Sequence, residues 1–346
     1  MHHKHPQMSA DHVRLLKLEE KLEDGSILIL KHPSERPIYD QSSKDIKKRM
    51  KNMHRICMWC KATETKETPF KACAKCQGSF YCSKECQRLD WIASHKKFCT
   101  ESKKQKRLER LIGALIANDN LFGFLKIAII LRLGLHNAPR PAEPFSALVP
   151  LAVEPEDILD FARLRGDLTS RRTTIYGHEM QGMLQVGGTF PSPESPEIKQ
   201  KRLDLIRELL EAHPETFTPG SLFGTVFFSM GNTNRIIEVP IVISSDLMAI
   251  AAEAQPFLQI LGDCHRTIPL HCFSCIEYIN TSVRRDTDNH FLLREKMTKE
   301  DAQIIQQSAT NYDRFREGGF ACRTIYLRIK NEYIYRPIQR DPEKEI

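Results

Sequence analysis

The residues best suited to hold a metal ion are concentrated between Cys57 and Cys99, where they fall into four pairs: Cys57-x2-Cys60, Cys73-x2-Cys76, Cys82-x3-Cys86 and His95-x3-Cys99. A two-residue gap lets a tight turn aim both thiolates at one cation, and a three-residue gap puts two side chains on one face of a helical turn. Each pair is therefore half of a tetrahedral site. Eight soft ligands make two closed sites, and zinc, which takes Cys and His in tetrahedral geometry without redox chemistry, is the natural occupant. Four protein ligands per ion leave no position for water or substrate, so both ions are expected to be structural.

The remaining cysteines support this reading. Of 11 in the chain, only Cys264, Cys272, Cys275 and Cys322 lie outside the cluster. The polar opening Met1-His2-His3-Lys4-His5 carries no export signal, so the thiols are expected to stay reduced and available to metal, in an intracellular protein of the nucleus or cytoplasm. The run Leu121 to Leu135 is interrupted by Lys126 and Arg132 and falls short of the roughly 20 residues that span a bilayer, which predicts a buried helix and no membrane partner.

The segment Phe80-Tyr81-Cys82-Ser83-Lys84-Glu85-Cys86-Gln87, followed by Asp90-Trp91 and His95-Lys96-Lys97-x-Cys99, resembles the MYND zinc fingers. The resemblance implies interleaved pairs, with Cys57, Cys60, Cys82 and Cys86 on one zinc and Cys73, Cys76, His95 and Cys99 on the other. Trp91 and His95 are separated by three residues where many members have two, so a change in local helix register is expected, with His95 and Cys99 shifting together. So short a segment has few apolar residues to bury, and each zinc supplies on the order of 10 kcal/mol of its folding free energy.

The resemblance further implies an adaptor that binds proline-containing peptides in a shallow groove beside the second zinc, with Phe80, Gln87 and Trp91 at the matching positions. The two aromatics serve equally well as core of the small module, whereas an exposed Gln87 amide is suited to reading peptide backbone.

These residues sit within 346 that are 41% hydrophobic and 27% charged, the balance of a folded soluble protein of about two domains. The expected order is a flexible arm over 1–54 with a short strand from Ile27 to Leu30, the finger over 55–100, a helical connector over 101–138, and an α+β domain over 139–341. Leu108, Leu111, Ile112, Leu115 and Ile116 recur at helical spacing, and a second helix starts near Asn120. Ser195-Pro196 opens a further helix, and Thr225–Ser229 with Ile236–Ile243 flank a turn, as in a hairpin. Thr298 with Asp301 caps a helix through about Ser308, and Arg323, Ile325, Leu327 and Ile329 alternate as in a strand.

Basic runs flank the finger, Lys44, Lys47, Lys48, Arg49 and Lys51 before it and Lys96, Lys97, Lys103, Lys104, Lys106 and Arg107 after it, and the net charge is +7. A solvated helix face is the first reading of such runs, with nucleic acid a secondary partner. Catalysis is not expected. A lysine methyltransferase with a MYND finger set into a split SET domain is the rival, but the stretch before Cys57 is short for it, and Asn289-His290 continues into Phe291-Leu292 instead of a small or sulfur-bearing residue. His178-Glu179 lacks the second His of a metalloprotease helix, and Gly187-Gly188 reads as a turn. Cys264, His265, His271, Cys272 and Cys275 offer a third group of ligands, although Cys272-x2-Cys275 lies in an apolar, strand-like stretch where buried cysteines are common.

Overall fold

The computed structural model describes residues 19–21, 27–29 and 42–335, except for 53–56, 61, 63, 66, 77–78, 97–98, 100–101, 138–143, 167–179, 193–199, 201–203, 205–219, 232–235, 262–263, 310–318 and 333–334. Strands β1 (Glu19–Lys21) and β2 (Ile27–Ile29) pair antiparallel. Helix α1 (Ser43–Asn52) follows, inside the stretch expected as a flexible arm. It is held by Ile46, fully buried, and by Met50, whose Cε lies over Gly113, so that one apolar face is seated on the chain beyond the finger.

The finger contributes β3 (Lys71–Ala72), β4 (Phe80–Tyr81), α2 (Lys84–Asp90) and a π-helical turn over Trp91–His95. Then come α3 (Ser102–Ala117) and α4 (Asp119–Leu133). They meet at a 92° bend, where the Asn118 side chain accepts from the Leu121 N–H at 3.0 Å and caps α4. Gly134, at φ 65°, closes α4 in the left-handed conformation that a residue without Cβ adopts at least cost. Among the described residues no single helix is long and apolar enough to cross a membrane.

A mixed sheet forms the centre of what remains. Its strands are β5 (Phe145–Pro155), β6 (Gln181–Val186), β7 (Phe190–Pro191), β8 (Leu222–Met230) and β9 (Ile236–Ile243), with helix α5 (Ile158–Arg165) between β5 and β6. Helix α6 (Ser245–Glu253), the hairpin β10 (Phe257–Leu261) and β11 (Cys264–Ile268), helix α7 (Cys272–Arg285), strand β12 (Arg294–Lys296) and helices α8 (Lys299–Ala309) and α9 (Gly319–Asn331) complete the chain order. The sheet runs β12-β6-β5-β8-β9, with β7 beside β6 on the same edge of β5. Among the described strands of this sheet only β5 and β8 pair parallel. The expected hairpin is β8 and β9, paired from Leu222 with Ile243 to Ser229 with Ile236. Gly182 to Val186 are all buried, so β6 is covered on both faces.

One hydrophobic cluster takes in Ile46 of α1, Leu111 and Leu115 of α3, Leu125 and Ile129 of α4, Val149 of β5, Ile279 of α7 and Ile325 of α9. The pair of helices read from sequence as a connector is thus part of the domain core. This is an α+β fold with a small cysteine-rich module joined to its amino-terminal side.

A polar network lies inside that core. The fully buried Arg328 guanidinium of α9 donates to Glu154 of β5, to Glu332 at 2.7 Å, to Gln185 of β6 at 2.9 Å and to the Tyr335 oxygen at 2.6 Å. Tyr335 donates in turn to Glu154 at 2.5 Å, and Asn280 of α7 donates to Glu332 at 2.7 Å while accepting from the Val186 N–H. Burial opposes the arginine's charge, but Glu154 and Glu332 outweigh it and hold Arg328 more firmly protonated than usual. Burial pushes the Glu332 carboxyl upward.

This network explains a departure from the sequence pattern. The expected strand over Arg323–Ile329 is helix α9, because Thr324, Ile325, Arg328, Ile329 and Glu332 are the buried positions and recur at helical spacing. An arginine turned into the core hid that period. The strand-like stretch around Cys272–Cys275 is likewise the start of helix α7: His271 caps it, accepting from the Ser274 N–H at 3.0 Å, while Ser274 accepts from the His271 N–H. The Thr298–Asp301 capping box is present at α8, with Thr298 N–H donating to Asp301 at 2.7 Å. The expected helix at Ser195-Pro196 falls outside the described residues.

Removing one member of a buried ion pair strands the other. Arg328→Met is expected to cost about 3–5 kcal/mol in urea unfolding, and replacing Glu154 and Glu332 by Gln in the same chain should recover much of the loss.

Candidate metal centre

The finger begins with two knuckles. In the first, the Cys57 N–H donates to the Ala62 carbonyl at 2.8 Å and the Met58 N–H to the Phe80 carbonyl at 2.9 Å, which ties the knuckle to β4. In the second, the Cys73 N–H donates to the Ser79 carbonyl at 2.8 Å. Ser83 caps α2 by accepting from the Cys86 N–H at 3.1 Å, so Cys82 and Cys86 flank the first helical turn. Tyr81, buried, donates to the buried Asp90 carboxylate at 2.7 Å and pins the other end of α2 to β4.

These tethers gather the eight ligands into two groups, Cys57, Cys60, Cys82 and Cys86, and Cys73, Cys76, His95 and Cys99, with the ligand atoms of each group within 4.8 Å of one another. The interleaving is as expected. The Sγ atoms of Cys60 and Cys82 are 3.4 Å apart and those of Cys82 and Cys86 3.5 Å. In the second group Cys73 and Cys99 Sγ are 3.8 Å apart, and Cys76 Sγ is 3.5 Å from His95 Nε2. A tetrahedral zinc with bonds of about 2.3 Å to sulfur has ligand edges of about 3.8 Å, whereas a disulfide is near 2.05 Å. The spacing fits zinc and leaves the cysteines unbridged.

The electrostatics agree. Burial opposes ionisation of Cys57, yet backbone N–H groups of Cys82, Cys60 and Trp59 outweigh it and bring the thiol down to about 7. Burial likewise opposes ionisation of Cys73, but the Cys76 backbone and the His95 side chain lower it to about 6. Their neighbours bear the repulsion: the Cys60 side chain and burial push Cys82 up to about 12, and burial with Cys73 pushes Cys99 up to about 12. A dication among the ligands removes this conflict, since a coordinated thiol is deprotonated outright.

The longer spacing between Trp91 and His95 is taken up by the π-helical turn, which holds an additional residue per turn. His95 is thereby delivered, buried, with Nε2 facing Cys76. Its Nδ1 lies 3.3 Å from the Oγ of buried Ser79. Metal on Nε2 requires a proton on Nδ1, and Ser79 is placed to accept it, fixing tautomer and ring orientation.

The two sites differ in exposure. In the second all four ligands are buried, whereas in the first Cys60 and Cys82 are exposed and Cys86 half-buried.

Phe80 and Trp91 are half-buried and pack against the finger's small core of Cys57, Phe70, Cys73, Cys76, Tyr81 and Cys99. Gln87, one turn before Trp91 on the same helical face, is half-exposed. The structure adds apolar residues that sequence reading passed over: Met58 is 46% exposed, Trp59 41% and Ile92 69%. Position was the available signal, since the two residues inside a Cys-x2-Cys turn face outward when both thiolates face the metal.

Among the residues whose side chains are described only the two finger groups meet the geometry, so His271, Cys272 and Cys275 form no site among themselves, while the side chains of Cys264 and His265 fall outside the described ones. His271 Nδ1 is engaged in capping α7, and Cys275 is buried, its thiol pushed well above the ordinary range by loss of water. Cys264 and His265 lie on β11. Asn289 is engaged with the Arg294 backbone, accepting from its N–H at 2.9 Å. Gly187 is not in a turn: it prolongs the β5–β6 pairing by one residue, donating to the Pro150 carbonyl at 2.7 Å, and His178-Glu179 falls outside the described residues.

Residues 57–99 match the MYND finger family, so the module is a zinc-binding finger of a class that mediates protein–protein interaction. Residues 103–335, most of the chain, match the domain of unknown function DUF8205, and the chain belongs to that family. That match begins with α3, in agreement with a core that includes both helices after the finger. No solved structure matches the chain.

Ser79→Ala should weaken zinc at the second site by about 10- to 100-fold, the usual loss when a ligating His loses its partner, read by competition with a chromophoric chelator. Under mild chelation, mass spectrometry of alkylated protein should find Cys60 and Cys82 modified before Cys73 and Cys76.

Proposed function

We propose that the chain is an adaptor: its finger captures a short proline-containing segment of a partner protein, and the DUF8205 domain is carried alongside as a separate folded unit with its own core. The carrying observation is that all eight ligands are used in two four-ligand sites, which directs the metals to structure and leaves the surface to act by binding. Phe80, Gln87 and Trp91 form the proposed contact, with Ile92 beside Trp91 as an exposed apolar neighbour. A half-buried tryptophan on a rigid turn is a good anchor, since its area is gained at little cost in conformational entropy. The reading entails no catalysis and a reducing compartment, nuclear or cytoplasmic, in which the exposed Cys60 and Cys82 thiolates remain available to zinc.

Both tryptophans of the chain, Trp59 and Trp91, lie in the finger, so tryptophan fluorescence, excited selectively at the red edge, reports on that module. Titrating the zinc-loaded chain with proline-rich peptides should give a saturable change. Trp91→Ala should weaken it by about 30-fold or more with two zinc ions retained, and Cys82→Ser should abolish it. A flat titration across a proline-rich library would count against the proposal.

A further inference from the structure

The basic run before the finger is not uniform once folded. Arg49 of α1 pairs with Asp119 and also donates to the Ala117 carbonyl at 3.2 Å. Of the later run, Arg107 pairs with Glu295 and Asp301, and Arg110 pairs with Glu295. These arginines hold α1, α3 and the β12–α8 region together. Lys44, Lys47, Lys48 and Lys51 are all exposed, and among the described residues none is paired with an acid.

At 100° per residue the four lysines fall within an arc of about 100°, over about 10 Å of helix. Ile46 and Met50 lie on the opposite side, against α3. Asp45, the acid of this helix, lies off the lysine arc and accepts from the Ser42 hydroxyl at 2.6 Å. The result is a row of like charges on a helix that is already anchored. The backbone that carries these cations is not ordered anew on binding, which removes part of the entropic cost met by a flexible tail and leaves that of the lysine side chains.

We propose that this lysine face binds the phosphate backbone of duplex nucleic acid, independently of the finger. Charge complementarity selects a polyanion, and the row suits regularly repeated phosphates, which lysine meets as a point charge without demanding fixed geometry. A lipid surface would need an apolar flank to insert, and that side of α1 is turned onto α3. Single strands are held by base stacking on aromatic side chains, and α1 has none. With no group to read base edges, the binding is independent of sequence, with Kd in the range of about 10⁻⁴–10⁻⁶ M at physiological salt.

The test is anisotropy of a short fluorescent duplex with the zinc-loaded full chain across a salt series. Four phosphate contacts give a slope of log K against log salt of about −3.6, a loss of about 10²-fold between 50 and 200 mM. Replacing Lys44, Lys47, Lys48 and Lys51 by Gln, with circular dichroism and zinc content as controls, should remove most of that slope. Lys47→Glu alone should shift it in the same direction if the fourfold change disturbs the helix. Cys82→Ser should keep duplex binding, which separates this site from peptide capture. A wild-type slope in the lysine variants, no saturable duplex binding, or preference for polyglutamate over duplex would each overturn the proposal, the last assigning the face to an acidic protein.

Discussion

Thiolates brought to within 4.8 Å of one another repel, and among the described residues of the finger few apolar contacts are present to offset that repulsion. Its core consists largely of the ligands themselves, joined by Phe70 and Tyr81. Charge compensation by zinc is therefore the condition on which β3, β4, α2 and the π turn depend. The hydrogen bonds that accompany it, Ser83 to Cys86, Tyr81 to Asp90 and Ser79 to His95, aim the ligands and could not hold the segment alone. This dependence also limits what the ions can do, because a dication with four protein ligands is a strut.

The larger domain meets the opposite problem. It has ample apolar core and places charge inside it, where Arg328, Glu154, Glu332 and Tyr335 join α9 to β5 and reach α7 through Asn280. Such a network adds little net stability over a well-packed apolar core, but an unpaired member is costly, so it penalises misplacement of α9. The finger is ordered by metal and the domain by packing, and their buried clusters are separate.

Local features were legible in the sequence. The eight ligands, the β8–β9 hairpin, helices α3 and α4 and the Thr298 capping box all rest on spacings of a few residues. What sequence reading missed depends on partners distant in the chain. Helix α1 looks like a charged arm until Ile46 and Met50 find α3. Helix α9 looks like a strand until Arg328 is seen to face Glu154, far earlier in the sequence. Around Cys272 the apolar composition was visible, but not that His271 would spend its ring on a helix cap. The unusual Trp91–His95 spacing marked a change of register, and only the backbone shows that it is a π turn.

The two proposed surfaces, peptide on the finger and phosphate on α1, share one molecule and differ in what they need: the first requires zinc, the second requires a helix held by apolar packing. The central claim is that two zinc ions, and not an apolar core, fold residues 57–99. Native mass spectrometry combined with hydrogen exchange before and after chelation tests it most directly. The account predicts two zinc ions per chain and, once they are removed, loss of amide protection throughout the finger while α4, α7 and the β5–β6 pair stay protected. A metal-free chain with a fully protected finger would contradict it.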